Sequence, residues 1–332
     1  MKNKIKGRIA KIDINDIMPV FILLAILIVF GIATKGAIFS LSNLQDLFNQ
    51  SVVTLAAGLG MIFVVSMGGT DISHGSLVAT ICAIICICAD QFGAWTVFPV
   101  AILVGVCSGL FIGICNAIFK VNSFMLTLSM LIAYRAMSNL LLRNNEYFFP
   151  SSLDFVNGML FKVIAIVVLL VIFGYILMYT PFGNYLKAIG ENEKAAIHVG
   201  INVKKVKIMA FVISGAMAGV AAIFTMARIG GTSTTTGVGL EMRALLAMYL
   251  CGVPVHGGYH TKIHKLIIGA PTVMLLEKSL VLCGFSGGYV QLIKGLILLA
   301  AVVISNNVSG DSQRWFRKKR QAAETGAGEM QM

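Results

Sequence analysis

Apolar residues in this chain gather into long blocks separated by short polar breaks. Blocks of about 17–25 predominantly apolar residues recur between positions 17 and 305, each long enough to cross a hydrocarbon core of about 30 Å as a helix. The pattern predicts ten spans: 17–34, 49–67, 74–90, 94–119, 124–142, 159–180, 206–229, 241–254, 265–283 and 287–305. The eighth is short and flanked by glycine, which predicts a broken or half-buried segment. The expected fold is an all-α polytopic membrane protein of about ten transmembrane helices. It divides into a basic N-terminal segment (1–16), a membrane domain (17–305) and a tail (306–332).

Composition and charge sharpen this picture. Only 12% of residues are charged and 58% are hydrophobic, whereas soluble domains carry about 25% charged residues. The basic start followed by "MPVFILLAILIVFGIA" has the outline of a signal peptide. The apolar run is long for one, and "TKGAIFS" is a poor cleavage site, so a retained first helix is expected. With the N-terminus inside, 18 Lys and Arg fall on the cytoplasmic side and 6 outside, with Arg135 and Lys294 inside spans. That bias predicts cytoplasmic termini and an even number of spans. It also accounts for the net charge of +12 without a nucleic-acid partner. "RWFRKKR" (314–320) reads as a juxtamembrane anchor to anionic lipid, ahead of a disordered end. The seven cysteines lie within apolar runs and read as small hydrophobes.

Four segments carry candidate chemistry. "GGTDISHGS" (68–76) interrupts two apolar runs with Gly68, Gly69, Asp71, Ser73 and His74. Irregular backbone is tolerated at membrane depth only where protein or water covers it. The segment therefore reads as a hinge near the cytoplasmic end, with Asp71 or Ser73 capping the next helix and His74 at the interface. A proton- or ion-binding Asp71 is the alternative. Arg135, inside the fifth span, needs a partner such as Glu241, Asn116 or a carbonyl end, unless it snorkels to the interface. "GGTSTTTGVGLEMR" (230–243) presents hydroxyls that suit a neutral polyol, or is a plain outer loop. In "TPFGNYLKAIGENEKAAIHVGINVKKVKI" (180–208), Asn192 caps a short helix of about eight residues. Glu193 stands in its first turn, Ala195 and Ala196 give a low-profile face, and Gly200 stops it. Such a helix is marginal alone, so it needs a packing partner.

This last segment resembles the cytoplasmic coupling loop (181–206) of ABC-importer permeases for ribose, xylose, galactose and related sugars. The shared residues are Phe182-Gly183, Ala188-Ile189-Gly190, Asn192, Ala195-Ala196 and Gly200-Ile201. Gly68, Gly69, Asp71, Ser73, Gly75 and Ser76 are similar to that family's Gly-Gly-x-Asp-[Leu/Ile]-Ser-x-Gly-Ser pattern. Asn116, Phe124, Thr127, Arg135 and "GVGLEM" (237–242) match in order. The family's acid two positions after Glu241 is Arg243 here, and its later Gly-rich turn reads "VHGGYHTKIHK".

The resemblance implies a permease subunit in a bacterial plasma membrane. It moves a monosaccharide or a furanose-like solute, with a second permease subunit and an extracytoplasmic sugar-binding protein. A separate ATPase would dock on the coupling helix; this chain has no Gly-x4-Gly-Lys-[Ser/Thr] phosphate loop and no expected cofactor. Gly69, Asp71, Ser73, Asn116, Thr127, Arg135 and Glu241 are the candidate path or hinge residues. Two other classes compete. An ion-coupled transporter needs acids at mid-membrane, whereas Asp71, Asp90, Glu241 and Glu277 fall near the ends of the predicted spans. A membrane enzyme would use His256, His260 and His264, spaced by four as metal ligands on one helical face.

Overall fold

The computed structural model describes residues 14–143 and 147–303; the basic residues 1–13 and the 306–332 tail lie outside them. Helices dominate: α1 (Ile14–Ala33), α2 (Leu41–Ser66), α3 (His74–Phe92), α4 (Val97–Ile118), α5 (Ser123–Leu142) and α6 (Met159–Tyr179). Two short helices follow, α7 (Pro181–Glu191) and α8 (Glu193–His198). The chain continues through α9 (Val203–Ile229), α10 (Leu240–Leu250), α11 (Ile263–Leu282) and α12 (Gly287–Val303). Among the described residues six helices are long and apolar enough to cross a membrane: α2, α3, α4 with its short lead-in, α5, α6 and α9. Helix α11 is comparably long but carries Lys265, Glu277 and Lys278. Helix α10 has only 11 residues, in keeping with the broken eighth span.

Local chemistry sets the helix starts. Asn122 Oδ1 accepts from Phe124 N–H at the head of α5, and Asn202 Oδ1 accepts from Lys205 N–H at the head of α9. Each satisfies a donor that the first helical turn leaves unpaired. Pro181 opens α7, where a missing N–H costs nothing.

Packing centres on α2, α4 and α9. Gly105, Gly109 and Gly113 form a stripe on α4 that meets Gly215, Phe211 and Ile208 of α9, and the Gly105 and Gly215 backbones lie against one another. A methyl at either position would overlap the opposite carbonyl. Lipid tails are as apolar as leucine, so helices in a bilayer associate through such close van der Waals contact. Helix α6 turns Leu160, Ile164, Val171 and Tyr175 outward, as a lipid-facing surface does.

Two long helices are each followed by chain that turns back into the bundle. After α2, residues 67–73 run non-helically beside the start of α5. After α9, residues 230–239 fold inward from a two-residue pairing of Tyr147–Phe148 with Gly231–Thr232. Helices α3 and α10 begin where these returns end. Helix α9 packs against both α4 and α2, and α11 packs on α2.

Candidate functional site

The first place of interest is where the two returns meet. Asp71 is 3% exposed and its carboxylate is fully engaged. Oδ1 accepts from Ser73 N–H (3.1 Å) and Ser73 Oγ–H (2.7 Å), and Oδ2 accepts from Ser214 Oγ–H (3.0 Å). His74 is fully buried, with Nδ1 3.5 Å from Ser214 Oγ and 3.9 Å from Asp71 Oδ2. Ser214 is the twelfth of the 27 residues of α9, about 16 Å along the helix. The cluster therefore lies beside the middle of α9.

Helix α5 supplies the backbone partners that residues 67–73 cannot find themselves. Thr70 N–H donates to Ser123 Oγ and Ile72 N–H to Thr127 Oγ1, while Thr127 Oγ1 contacts Thr70 O at 3.2 Å. Farther along, Thr80 Oγ1 donates to Tyr134 O, and Arg135 Nη1 donates to Thr236 O (2.8 Å) and Thr234 O (3.3 Å). Arg135 thus closes on carbonyl ends of the second return. Glu241, in the first turn of α10, lays Oε2 against Gly75, and Gly75 and Gly237 touch through their backbones. Asp71, Ser73, Thr127, Arg135 and Glu241 are brought to one junction. Asn116 lies apart, closing the α4–α5 turn through Nδ2–H to Val121 O; Gly69 packs on Val64 and Met67.

Several sequence-based expectations change. Asp71 and Ser73 do not cap α3 by side-chain bonds to its first turn; Asp71 instead bridges Ser73 and Ser214. Residues 67–73 pack on the first turns of α5, and Asp71 and Glu241 sit at the starts of α3 and α10. His74 is a fully buried first residue of α3 rather than an interface loop residue. The hydroxyl run is not a plain loop either: Thr232 and Thr236 are buried. Residues 251–262 form turns rather than a helix, so His256 and His260 cannot share a helical face with His264. Lys265, fully buried, donates to Gly252 O and His260 O and organises that turn.

The second place is the α7–α8 end. Asn192 Oδ1 accepts from Ala195 N–H at 3.1 Å and caps α8. Gly200, at φ 87°, closes it with a Schellman motif: Gly200 N–H donates to Ile197 O and Ile201 N–H to Ala196 O. The helix has six residues, shorter than expected, and polar sequence before it forms the separate helix α7. Ala196 points into the protein and is 3% exposed, so only Ala195 of the pair faces out. Ile197 and Val199 are 55% and 76% exposed. Glu193 is paired with Lys207 at 2.8 Å, tying α8 to the head of α9. Glu191 Oε1 accepts from Tyr259 N–H, and Gly258 N–H donates to Ser66 O. The turn 251–262 and the end of α2 are thereby joined to α7. Burial and the nearby Lys262 push the Lys187 ammonium below the usual lysine range.

Sequence reasoning missed His74, Ser214, Ser123, Glu191 and Glu277 as partners. Ser214 carried a signal, as the polar member of the small-residue stretch "ISGAMAG". Glu277 explains the departure at Arg243: Nε and Nη2 donate to Glu277 Oε2 and Oε1 at 3.0 and 3.1 Å, and Lys294 Nζ lies 3.1 Å from Oε2.

With this geometry in hand, comparison with known proteins is informative. The chain is 29% identical to the ribose import permease protein RbsC of Haemophilus influenzae over 297 residues, 86% of this chain and 92% of that protein. It is equally identical to RbsC of Escherichia coli K12 over the same shares. The autoinducer 2 import system permease protein LsrC of Salmonella paratyphi B is 30% identical over 89% of this chain and 87% of its own length. No solved structure gives a significant match. The family model described as the branched-chain amino acid transport system permease component matches residues 43–302. This chain, an all-α integral membrane protein, belongs to that permease family.

Proposed function

We propose that this chain is the membrane-spanning subunit of an ATP-driven importer for a monosaccharide or furanose-like solute in a bacterial plasma membrane. Residues 17–305 form the permease domain, between the segments 1–16 and 306–332, and both termini are cytoplasmic. ATP is bound and hydrolysed by a separate ATPase, an extracytoplasmic binding protein delivers the solute, and a second permease subunit completes the path.

The observation that carries the reading is α8. It is capped at both ends, packs inward through Ala196, and presents the apolar side chains of Ile197 and Val199 at one end of the bundle. Apolar exposure on an otherwise charged segment suits a protein partner. Helix α8 is coupled to the core twice: by Glu193 to α9, and through α7 and Glu191 to the 251–262 turn and α2. A push on α8 reaches α9 and α2, and with them the junction of 67–73 and 230–239. Asn192, Glu193, Ala195, Ala196 and Gly200 form the lever; Gly69, Asp71, Ser73, Asn116, Thr127, Arg135 and Glu241 belong to the hinge and path.

The test is co-purification of the ATPase with Ile197→Asp and Val199→Asp variants, at positions more than half exposed in the isolated subunit. The expected result is loss of the ATPase from a normally inserted permease; undiminished co-purification would exclude docking at α8. The burial of Asp71 beside the middle of α9 favours one second reading, ion-coupled transport, which predicts uptake that survives ATP depletion and fails with an ionophore.

A further inference from the structure

The starts of α3 and α10 lie together, Gly75 against Glu241 and Gly237, and each holds a buried polar atom with no partner. On α3 it is His74 Nε2, in a residue with no solvent exposure; on α10 it is Glu241 Oε2. We infer that this junction is a solute site, in which His74 Nε2 and Glu241 Oε2 accept hydrogen bonds from two hydroxyl groups of a neutral polyol. The inference rests on the sugar-importer reading and names the place and chemistry of recognition within it.

Ser214 donates its one hydroxyl proton to Asp71, so Ser214 Oγ can only accept from Nδ1–H. A neutral imidazole with its proton on Nδ1 carries a lone pair on Nε2. That lone pair points away from Asp71 and Ser214, and burying it unmatched costs about 1–3 kcal/mol. Asp71 is already saturated by three donors, so it positions His74 rather than meeting the solute. Glu241 Oε2 lies over Gly75 with no side chain between. Two acceptors without a local donor call for a ligand that donates, as polyol hydroxyls do.

A cation fits less well. Arg135 and Arg243 both act electrostatically on Glu241, and among the described residues no three His, Cys, Asp or Glu side chains are gathered as metal ligands. Access is through α5. It is the least buried of the six long helices, with 17% of its central window covered against 83% in α2. It is held beside the junction by the Ser123, Thr127, Tyr134 and Arg135 hydrogen bonds and by a narrow apolar strip that includes Leu126 and Met130. Interhelical hydrogen bonds in a bilayer are worth about 0.6–2 kcal/mol each, so the attachment is one that can open.

The experiment uses the complete transporter in proteoliposomes, with ribose and each of its monodeoxy derivatives as probes. Glu241→Gln removes one acceptor while keeping shape, and His74→Asn removes Nε2 with part of the ring while preserving a donor toward Ser214. We expect kcat/KM for ribose uptake to fall on the order of tenfold, with ATPase stimulation by the loaded binding protein retained. One monodeoxyribose should already be poor with the wild type and lose nothing further with Glu241→Gln. Wild-type kcat/KM in both variants, or an equal loss for ribose and every deoxy derivative, would overturn the site. If these variants do not assemble, Glu241→Asp retracts the carboxylate by one methylene and is read by the same criterion. A wild-type complex that takes up no sugar with ATP would overturn the importer reading and this site together, an outcome distinct from active transport indifferent to the variants.

Discussion

Asn192 and Gly200 bracket α8 through backbone chemistry that involves few other residues. Asn192→Ala removes the only side-chain acceptor at the α8 start, a loss of about 1 kcal/mol. A side chain at Gly200 would meet no atom within 4 Å of its Cβ, so Gly200→Val costs only the left-handed backbone, about 1–2 kcal/mol. Both variants should reach the membrane at wild-type levels and uncouple ATP hydrolysis from uptake; unaltered coupling in the pair would count against α8 as the lever. Arg243 predicts the opposite kind of effect. Arg243→Ala leaves Glu277 with Lys294 alone and should lower thermal stability by about 1–3 kcal/mol. In a double-mutant cycle its effect should shrink once Glu277 is also removed. Asn192 and Gly200 were legible in the sequence because a cap is a local contract between residues two or three positions apart. Asp71 and His74 were visible as polar residues, but their depth was not. It depends on where residues 67–73 travel, and that is set by hydroxyls of Ser123 and Thr127 more than 50 positions away.

Helices were the easiest elements to read, since a block of about 20 apolar residues has few other fates in a bilayer. Each of the ten expected apolar blocks contains a helix (α1–α6 and α9–α12), six of them, among the described residues, long and apolar enough to cross a membrane, and the eighth shows its expected brevity. What periodicity did not reveal was the pair of inward returns, because a polar stretch between spans looks the same whether it lies outside or folds back. The same limit hid α7, whose mixed sequence carries no long apolar run. At this scale the α4–α9 contact makes a firm demand. Gly105→Leu or Gly215→Leu would force apart backbones now in contact, and each should abolish monodisperse purification. Tolerance of leucine at both would mean that the close approach is not needed. Thr127→Val tests α5 separately: it removes the bonds to Thr70 O and Ile72 N–H while keeping shape. It should speed α5 opening, seen as greater labelling of a cysteine introduced at position 71 or 241, without loss of the folded bundle.

For the molecule as a whole, the polar junction lies beside the middle of α9 and α8 lies at one end of the bundle. In the orientation we propose from the bias of 18 basic residues against 6, that end is cytoplasmic. A C-terminal green fluorescent protein fusion should therefore fluoresce, and a C-terminal alkaline phosphatase fusion should be inactive. The central claim is that mechanical work enters through α8 from nucleotide hydrolysis elsewhere and opens the junction. It is tested most directly by sugar uptake into proteoliposomes holding the permease, its ATPase and the loaded binding protein, with and without enclosed ATP. The account predicts uptake that requires ATP, persists in an ionophore and is lost in Val199→Asp. Uptake without ATP that collapses when the ion gradient is dissipated would contradict it.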